Sequence, residues 1–539
     1  MARIQDSFPH IDHFITRKVK EANLPGMAVA ITDREKILHA VTCGFSDVGT
    51  RRPITQQTLF EIGSIGKSFT SIILLQEKAA GRLELDAPVI QYLPWFQVKS
   101  SYDAITVHHL MCHTAGIIRG TDVSPHGLYE VYALRNTKAA CPPGRYFHYS
   151  DLAYKALGFL LEAVLDQPYH DILCSHILDP LGMTETHAVM TFPTRAKMAT
   201  GYRYFYDDRP SHRDHPIVPA PWHEYGTADG SPASTAEDMV RYVRMLLNRG
   251  RGPGSELLSE EGFTLLTQRL ARTAHGVFYG YGIVIEDIDG HLCLSHGGQT
   301  LGYSSVMLAD MIDGIGVVIL FNGPGGALAA YALAYPVLKF LRAALHNQSL
   351  PPLPPAVHPA VIANATEYAG IYRMGPHSLT FICDGDRLVL QHGSEPVSLE
   401  QRSPDRFYAN HPDFALFLFE FQRNSSQEVM ELFHGPNWYV REQPALPASD
   451  VPEKWKGYTG HYRSHNPWNS NFRIVLRKNT LVLIHPAGDT KVLVPVRKHS
   501  FRVGEDEHSP EFLHFDSLIN GQAARANLSG CDYYRAFTP

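Results

Sequence analysis

The sequence predicts an α/β (α+β) fold in which an antiparallel sheet is flanked by helices and followed by two small antiparallel β-barrels. Strand-like patterns occur near both ends of the first 346 residues, with helical patterns between them, so both chain ends contribute to one sheet. A proline-rich segment follows, and helical periodicity stops beyond it. Residues 361–539 then show short strands, turn residues and an internal repeat.

The predicted sheet takes its strands from two distant parts of the chain. Residues 26–32 and 36–43 have the pattern of a β-hairpin. Asp313-Gly314 indicates a second tight turn between the last two strands of the sheet. The other strand-like segments are residues 281–286, 291–296, 303–309 and 315–321.

Three helices are predicted between these strands. Apolar residues at helical spacing predict the first over residues 64–80. The second covers residues 151–166, with Ser150 or Asp151 as its N-cap. The third covers residues 234–248 and begins with a capping-box pattern.

The composition divides the chain into four segments. Prolines between residues 351 and 355 predict a stiff linker. Beyond it, the pattern from Tyr368 to Arg373 recurs from Tyr458 to Arg463, which predicts two barrels, because closure removes exposed strand edges. One continuous β-sandwich is the alternative. The predicted boundaries are a first domain over 1–346, a linker over 347–360, a first barrel over 361–448 and a second barrel over 449–539.

Composition also limits the possible partners. The formal net charge of −6 and the scattered basic residues do not favour nucleic-acid binding or a polybasic membrane surface. Seven widely spaced cysteines without a CxxC pair indicate free thiols in a reducing compartment. Residues 1–22 lack the apolar region of a signal peptide, and apolar runs are too short to span a bilayer. We therefore expect a cytoplasmic protein; its oligomeric state is not indicated.

The stretch Ser64-Ile65-Gly66-Lys67 lies at the start of the first predicted helix. A serine hydroxyl is a weak nucleophile and needs an adjacent base, and Lys67 is one helical turn away on the same face. The helix N-terminus adds backbone N–H groups that stabilise a developing oxyanion. A capped helix with a solvated lysine is the alternative, since this pattern alone is common by chance.

A second motif, Tyr149-Ser150-Asp151, lies where the second helix begins. A phenolate near a lysine ammonium acts as a base toward serine and as an acid toward the leaving group. Tyr149 therefore becomes an acid/base candidate beside Lys67. The alternatives are a core tyrosine and an aspartate that only caps the helix.

A third motif, His296-Gly297-Gly298, ends a predicted strand. Two glycines let a substrate backbone lie close along the strand edge, and His296 can hydrogen-bond the substrate or the tyrosine. The backbone N–H groups of Gln299 and Ser64 would then be the two oxyanion donors. A β-turn after an edge strand is the alternative.

In this order the motifs resemble those of the class C β-lactamase-like family of serine hydrolases. That family includes β-lactamases, D-aminopeptidases, D,D-peptidases, carboxylesterases and acyltransferases, and the resemblance covers about residues 10–345. It implies a β-lactamase/transpeptidase-like catalytic domain with Ser64 as nucleophile, Lys67 as its base partner, Tyr149 as acid/base and His296 on the third motif. The matching segments are residues 60–67, 109–116, 147–151, 181–184 and 295–298.

Two residues depart from the family pattern. His296 stands where penicillin-hydrolysing members usually carry a lysine that holds the antibiotic's carboxylate, so efficient β-lactam hydrolysis is not expected. Histidine there resembles D-aminopeptidases and some esterases, and a tail of two lipocalin-like barrels resembles the D-aminopeptidase layout. Asp151 stands where β-lactamases usually carry asparagine, and we hypothesise that it holds a substrate ammonium.

The predicted function is that of a serine hydrolase acting through an acyl-enzyme on small esters or amides, with D-amino-acid amides or peptides favoured and without metal or cofactor. A carboxylesterase or biosynthetic acyltransferase using the same site is the alternative; a true β-lactamase or a non-catalytic binding protein fits less well. His109 and His113 have the i, i+4 spacing of zinc ligands, but no carboxylate lies between them in the H-E-x-x-H manner.

Overall fold

The computed structural model divides the chain into two compact units. The first unit is Met1–Arg203 with Ile217–Pro354, and the second is Tyr204–Pro216 with Pro355–Pro539. Tyr204–Pro216 thus groups with the C-terminal part of the chain, although the sequence analysis placed it in the first domain. The residues that the structure describes are 4–120, 127–273, 275–355, 358–442 and 452–536.

The first unit contains one nine-stranded antiparallel sheet. The N-terminal hairpin pairs with the last strand of the unit, with Val29 opposite Ile319, so both chain ends form one sheet as predicted. In spatial order the strands are Arg52–Pro53, Ile37–Asp47, Gly26–Thr32, Ile315–Phe321, Tyr303–Asp310, His291–Thr300, Val284–Ile288, Phe278–Tyr279 and Ala271–Arg272.

Helices cover both faces of this sheet. Val317 points into a core that it shares with the helices Phe8–Glu21 and Gly326–Leu345, while Val318 points into the core on the opposite face, together with Gly66–Ala79. The alternation follows from the period of two along a strand. The other helices of this unit are Val107–Met111, Gly127–Ala133, Asp151–Leu165, Tyr169–Leu173, Asp179–Leu181, Phe192–Arg195, Ala236–Leu247 and Glu260–Leu266.

Helix starts follow the capping residues closely. The helix Asp151–Leu165 is capped by Ser150, whose hydroxyl accepts a hydrogen bond from a backbone N–H in the first turn. Thr235 caps Ala236–Leu247 in the same way, so that helix starts inside the predicted range of 234–248. Within the described residues, Gly326–Leu345 is the one helix with the length and hydropathy of a membrane span, and more than half of it is buried in the core.

The last eight strands of the second unit form a closed barrel. Its first and last strands pair, with Tyr462 opposite Arg535. The strands are Gly460–Arg463, Asn471–Arg477, Thr480–Ile484, Thr490–Arg497, Ser500–Val503, Phe512–Ile519, Gln522–Leu528 and Cys531–Arg535.

The preceding nine strands form a second, nearly closed barrel. The two ends of its strand order, Glu395–Ser398 and Glu400–Ser403, are consecutive in the chain. The two-barrel prediction is therefore confirmed over the single sandwich; its predicted boundary at 448/449 lies outside the described residues. The strands are Gly370–Met374, His377–Asp384, Arg387–His392, Glu395–Ser398, Glu400–Ser403, Arg406–Tyr408, Phe419–Arg423, Val429–His434 and Asn437–Arg441.

The sequence repeat marks the same structural feature in both barrels. The Tyr372 hydroxyl donates to the Tyr368 carbonyl over 3.0 Å, and the Tyr462 hydroxyl donates to the Tyr458 carbonyl over 2.8 Å. Both pairs are buried. Each copy of the repeat therefore ties the segment before the first strand to that strand.

Candidate active site

Ser64 lies in a short 3₁₀ turn, Gly63–Ile65, and the α-helix Gly66–Ala79 follows directly. The sequence pattern predicts an α-helix from residue 64, so the α-helix begins two residues later than predicted. Gly63 has a φ of 54°, and a Cβ there would lie 2.8 Å from the backbone nitrogen of Gln299. The turn therefore requires glycine, which brings the backbone beside Ser64 against the strand that carries Gln299.

Lys67 reaches back over one turn to Ser64. Its Nζ lies 3.1 Å from Ser64 Oγ, 2.6 Å from Asp151 Oδ1 and 2.6 Å from the carbonyl oxygen of Asp229. The lysine is fully buried. An ammonium has three N–H donors, and these three acceptors match them.

The pair formed by Lys67 and Asp151 is ionised in this site. Burial alone disfavours the charge on Lys67, but Asp151, together with Tyr149 and Asp229, outweighs burial, and the pKa of Lys67 lies above its ordinary value. Burial likewise disfavours the charge on Asp151, yet Lys67 and Arg119 hold the pKa of Asp151 below its usual range. Arg119 Nε lies 3.5 Å from Asp151 Oδ2.

Tyr149 lies beside the same lysine. Lys67 Nζ lies 4.9 Å from the centroid of the Tyr149 ring, and the His113 ring lies 4.3 Å from it, centroid to centroid. Burial raises the pKa of Tyr149; Lys67 opposes this rise and Asp151 adds to it. The resting side chain is thus a neutral phenol, in contrast to the phenolate of the sequence-based hypothesis.

His296 lies on the strand His291–Thr300 with both ring nitrogens engaged. Nδ1 lies 2.8 Å from the carbonyl oxygen of Gly297, so Nδ1 carries the proton, and Nε2 accepts from the Tyr279 hydroxyl over 3.0 Å. Burial lowers the pKa of His296 to about 4. The ring is neutral and is bonded to Tyr279, where the sequence analysis had offered Tyr149 or the substrate.

The strand that carries His296 has one open edge near Ser64. On one side it pairs with Val284–Ile288 only as far as Ser295, whereas on the other side it pairs with Tyr303–Asp310 up to Thr300. In the described part of the chain, residues 296–300 therefore have no strand partner on the first side. Binding of a substrate backbone along this edge stays a prediction.

Gly297 and Gly298 have a packing role as well. A Cβ on Gly298 would lie 1.8 Å from the carbonyl oxygen of Ile62, and a Cβ on Gly297 would lie 2.8 Å from Ala327 Cβ. The Ser305 hydroxyl donates to the same Ile62 carbonyl over 2.8 Å. Gly298 lets the strand approach the turn that carries Ser64, and Gly297 lets it pack against the helix Gly326–Leu345. The first approach brings the backbone of Gln299 beside that turn.

The family comparison agrees with this geometry. The family model described as Beta-lactamase matches residues 11–339, which is more than half of the chain. The chain belongs to the β-lactamase family. Penicillin-binding protein 4 of Amycolatopsis lactamdurans is 29% identical to it over 335 residues, covering 58% of this chain and 84% of that protein.

Two further proteins resemble this β-lactamase-family chain, one in sequence and one in fold. Protein Rv1367c of Mycobacterium tuberculosis (strain ATCC 25618 / H37Rv) is 30% identical over 285 residues, covering 47% of this chain and 70% of that protein. The solved structure of the octameric penicillin-binding protein homologue from Pyrococcus abyssi matches with a TM-score of 0.59 and 22% identity, over 88% of this chain and 98% of that one. The likeness in fold thus extends beyond the catalytic domain.

Three residues of this β-lactamase-family site were missed by the sequence analysis. Asp229 contributes its backbone carbonyl, which any residue type provides, so no sequence signal marks it. Tyr279 is separated from His296 by a strand and a turn. His113 was noticed within its segment but without a role; its Nδ1 accepts from the Ser150 N–H over 3.1 Å, and its Nε2 has no partner among the described residues.

The other histidines of the same segment have structural contacts. His108 Nδ1 lies 2.7 Å from the Tyr281 hydroxyl. His109 completes a capping box with Thr106 at the start of a short helix. These contacts give His108 and His109 structural roles.

Proposed function

We propose that the first unit is a serine hydrolase that acts through a covalent acyl-enzyme on small esters or amides. The observation that carries this proposal is the 3.1 Å distance between Lys67 Nζ and Ser64 Oγ at the start of a helix. The backbone of Gln299 lies opposite the same turn and supports a two-donor oxyanion hole.

Acylation uses these groups in sequence. Ser64 Oγ attacks the substrate carbonyl carbon, a C–O bond forms, and the carbonyl π electrons move to oxygen. The hydroxyl proton passes to the unprotonated form of Lys67. The N–H groups of Ser64 and Gln299 donate to the oxyanion, whose collapse breaks the bond to the leaving amine or alcohol.

Tyr149 is the proposed acid for the leaving group. Because its phenol is neutral at rest, it has a proton to donate to the departing nitrogen or oxygen. Water then attacks the acyl-enzyme carbonyl and gives one proton to the Tyr149 phenolate. The ester bond to Ser64 breaks, the proton held by Lys67 returns to Ser64 Oγ, and the acid product leaves. In an acyltransferase an alcohol or amine would replace this water.

D-Amino-acid amides and peptides are the favoured substrate subclass. His296 at the third motif and the two C-terminal barrels support this choice. Asp151 supports it less than the sequence suggested, because Lys67 and Arg119 already share its charge. The neutral His296 offers no cation to a β-lactam carboxylate, so we propose slow acylation by penicillin in place of efficient hydrolysis.

Initial rates on three substrates test the proposal, with wild type and Ser64→Ala compared. The substrates are D-alanine p-nitroanilide, L-alanine p-nitroanilide as its stereochemical control, and p-nitrophenyl butyrate. Cleavage of the D-anilide that is lost in Ser64→Ala supports the favoured subclass, and ester cleavage alone supports an esterase or acyltransferase. Hydrolysis that survives in folded Ser64→Ala would rule out the serine mechanism.

A further inference from the structure

The environment of Lys67 fits an ammonium and does not fit a free amine. Three groups accept hydrogen bonds from Nζ, namely the Ser64 hydroxyl, the Asp151 carboxylate and the Asp229 carbonyl, and the Tyr149 hydroxyl is a further polar neighbour. A neutral amine has two N–H donors and one lone pair, so it would leave one of these acceptors facing a lone pair. The lone pair that Ser64 needs as its base is absent while all three bonds are donated.

Near pH 7 the rings packed around Lys67 do not supply the balancing charge, although an ionised Tyr149 would raise the pKa of Lys67. Burial lowers the pKa of His113 and His296, and burial raises the pKa of Tyr149 and Tyr154, so these groups are neutral near pH 7. Among the described residues, the carboxylates that act on the amine are Asp151 and Asp229, and Arg119 and Lys155 act in turn on Asp151.

Asp151 is the group that balances Lys67 most directly. It makes the shortest side-chain contact to Nζ, at 2.6 Å, and its side chain is only 14% exposed. Solvent therefore screens this attraction weakly. Asp229 touches Nζ through its backbone carbonyl, so its side-chain charge acts from further away.

We propose that Asp151 is a positioning residue that keeps Lys67 protonated in the resting enzyme and so sets the pH above which Ser64 becomes a nucleophile. This inference rests on the proposed serine-hydrolase function. The free amine forms only when the pair loses a proton to solvent, after which Ser64 can transfer its proton to Lys67. Activity is then expected to rise with pH into the alkaline range.

The sign of the effect follows from the charge. Asparagine in place of Asp151 keeps an acceptor oxygen for Lys67 but removes the negative charge. A neighbouring opposite charge shifts a pKa by about 1–3 units. Asp151→Asn should therefore shift the rising limb of the pH profile to lower pH by at least about one unit. At a pH below the rising limbs of both proteins, kcat/KM of the variant should then be ~10-fold higher than that of the wild type.

Two pH profiles test the proposal. The first is kcat/KM for p-nitrophenyl butyrate, corrected for spontaneous hydrolysis, and the second is the rate at which a fluorophosphonate labels Ser64, followed by intact mass. Labelling does not depend on knowing the natural substrate. If Ser64 is not labelled at any pH in the wild type, the proposed function fails; if it is labelled but Asp151→Asn leaves the limb unmoved, only the present inference fails.

Arg119→Gln is a control of opposite sign. Arg119 is 66% exposed, so the exchange is expected to leave the fold intact, and removal of its positive charge should move the limb slightly upward. If thermal unfolding shows that Asp151→Asn does not fold, the Arg119→Gln profile tests the proposal alone. A rising limb of Arg119→Gln that is unchanged or shifted to lower pH contradicts the proposal. A uniform loss of rate in Asp151→Asn without a shift would also contradict it, since a purely structural residue gives that result.

Discussion

Two buried ion pairs, one in each unit, differ in the groups to which they are hydrogen-bonded. Lys67 and Asp151 are 2.6 Å apart in the first unit, and Arg477 and Glu420 are 2.8 Å apart in the second. All four side chains are at most 14% exposed. Length and burial therefore do not separate a pair with a catalytic role from a structural one.

The further hydrogen-bond partners of the two ion pairs distinguish them. Lys67 also donates to the hydroxyl of Ser64, a group that can react. Arg477 instead donates to the Gly435 carbonyl, while Glu420 also accepts from Arg406 and from the Thr490 hydroxyl. A guanidinium does not give up its proton in proteins, so the cations of this network cannot activate that hydroxyl. The comparison teaches that a functional ion pair is recognised by an open, reactive neighbour. Four changes, from the largest expected effect to the smallest, test this conclusion.

Lys67→Met should abolish most activity. The change removes the proposed base of Ser64, and kcat/KM should fall at least about 10³-fold. The matched control is Lys155→Met, which breaks another buried lysine pair, to Glu130 at 2.7 Å, without touching Ser64. If both variants lose activity equally while both remain folded, the distinction between the pairs is wrong.

Glu420→Ala should act on stability. It leaves Arg477 buried without its carboxylate, which costs about 3 kcal/mol of unfolding free energy. Urea unfolding followed by tryptophan fluorescence measures the loss, and the rate of Ser64 labelling measured below the transition should stay near that of the wild type. A large drop in labelling with little loss of stability would contradict a structural role.

Tyr279→Phe should have an intermediate effect on activity. It removes the donor to His296 Nε2 and leaves that buried nitrogen unpaired, at a cost of about 1–2 kcal/mol. We expect kcat/KM to fall about 10-fold, since 1.4 kcal/mol corresponds to a factor of ten. Tyr281→Phe is the control, because it removes a similar tyrosine–histidine contact, to His108, outside the candidate site. Equal kinetics for the two variants would show that His296 need not be held in place.

Lys339→Ala should change least. Its contact with Asp289 is 3.3 Å long, and the two side chains are 51% and 58% exposed. Exposed pairs contribute less than about 1 kcal/mol, so neither the thermal midpoint nor kcat/KM should move appreciably. A loss comparable to that of Glu420→Ala would mean that burial is not the property that matters.

The sequence predicted the features that depend on neighbouring residues. Ser64 and Lys67 are three positions apart, so helical geometry brings them together, and Ser150 caps its helix through its own first turn. The pairing of Asp151 with Lys67 depends on how two helices pack, which periodicity does not specify. The hypothesis of a substrate ammonium at Asp151 arose because the sequence does not reveal that neighbour.

Other features of the fold show the same limit. Strand-like patterns predicted strands 303–309 and 315–321 closely, and the structure buries both strands on two faces. The strand through His296 continues four residues beyond its predicted end, since glycines weaken the pattern while the ladder with the next strand continues. The position at which the first barrel remains unpaired, between Glu395–Ser398 and Glu400–Ser403, depends on strand order. Strand order is a property of the whole chain.

The contact of Gly63 and Gly298 with facing backbone has a consequence for how this site can change. The turn that carries Ser64 meets the strand that carries Gln299 through main-chain contact at Gly63 and Gly298, with the Ser305 hydroxyl bonded to the Ile62 carbonyl beside it. Side chains elsewhere in the pocket can therefore be exchanged without altering the distance between the two N–H donors. A lineage or a designer can vary substrate choice while the reaction centre stays constant, provided that these two glycines are retained.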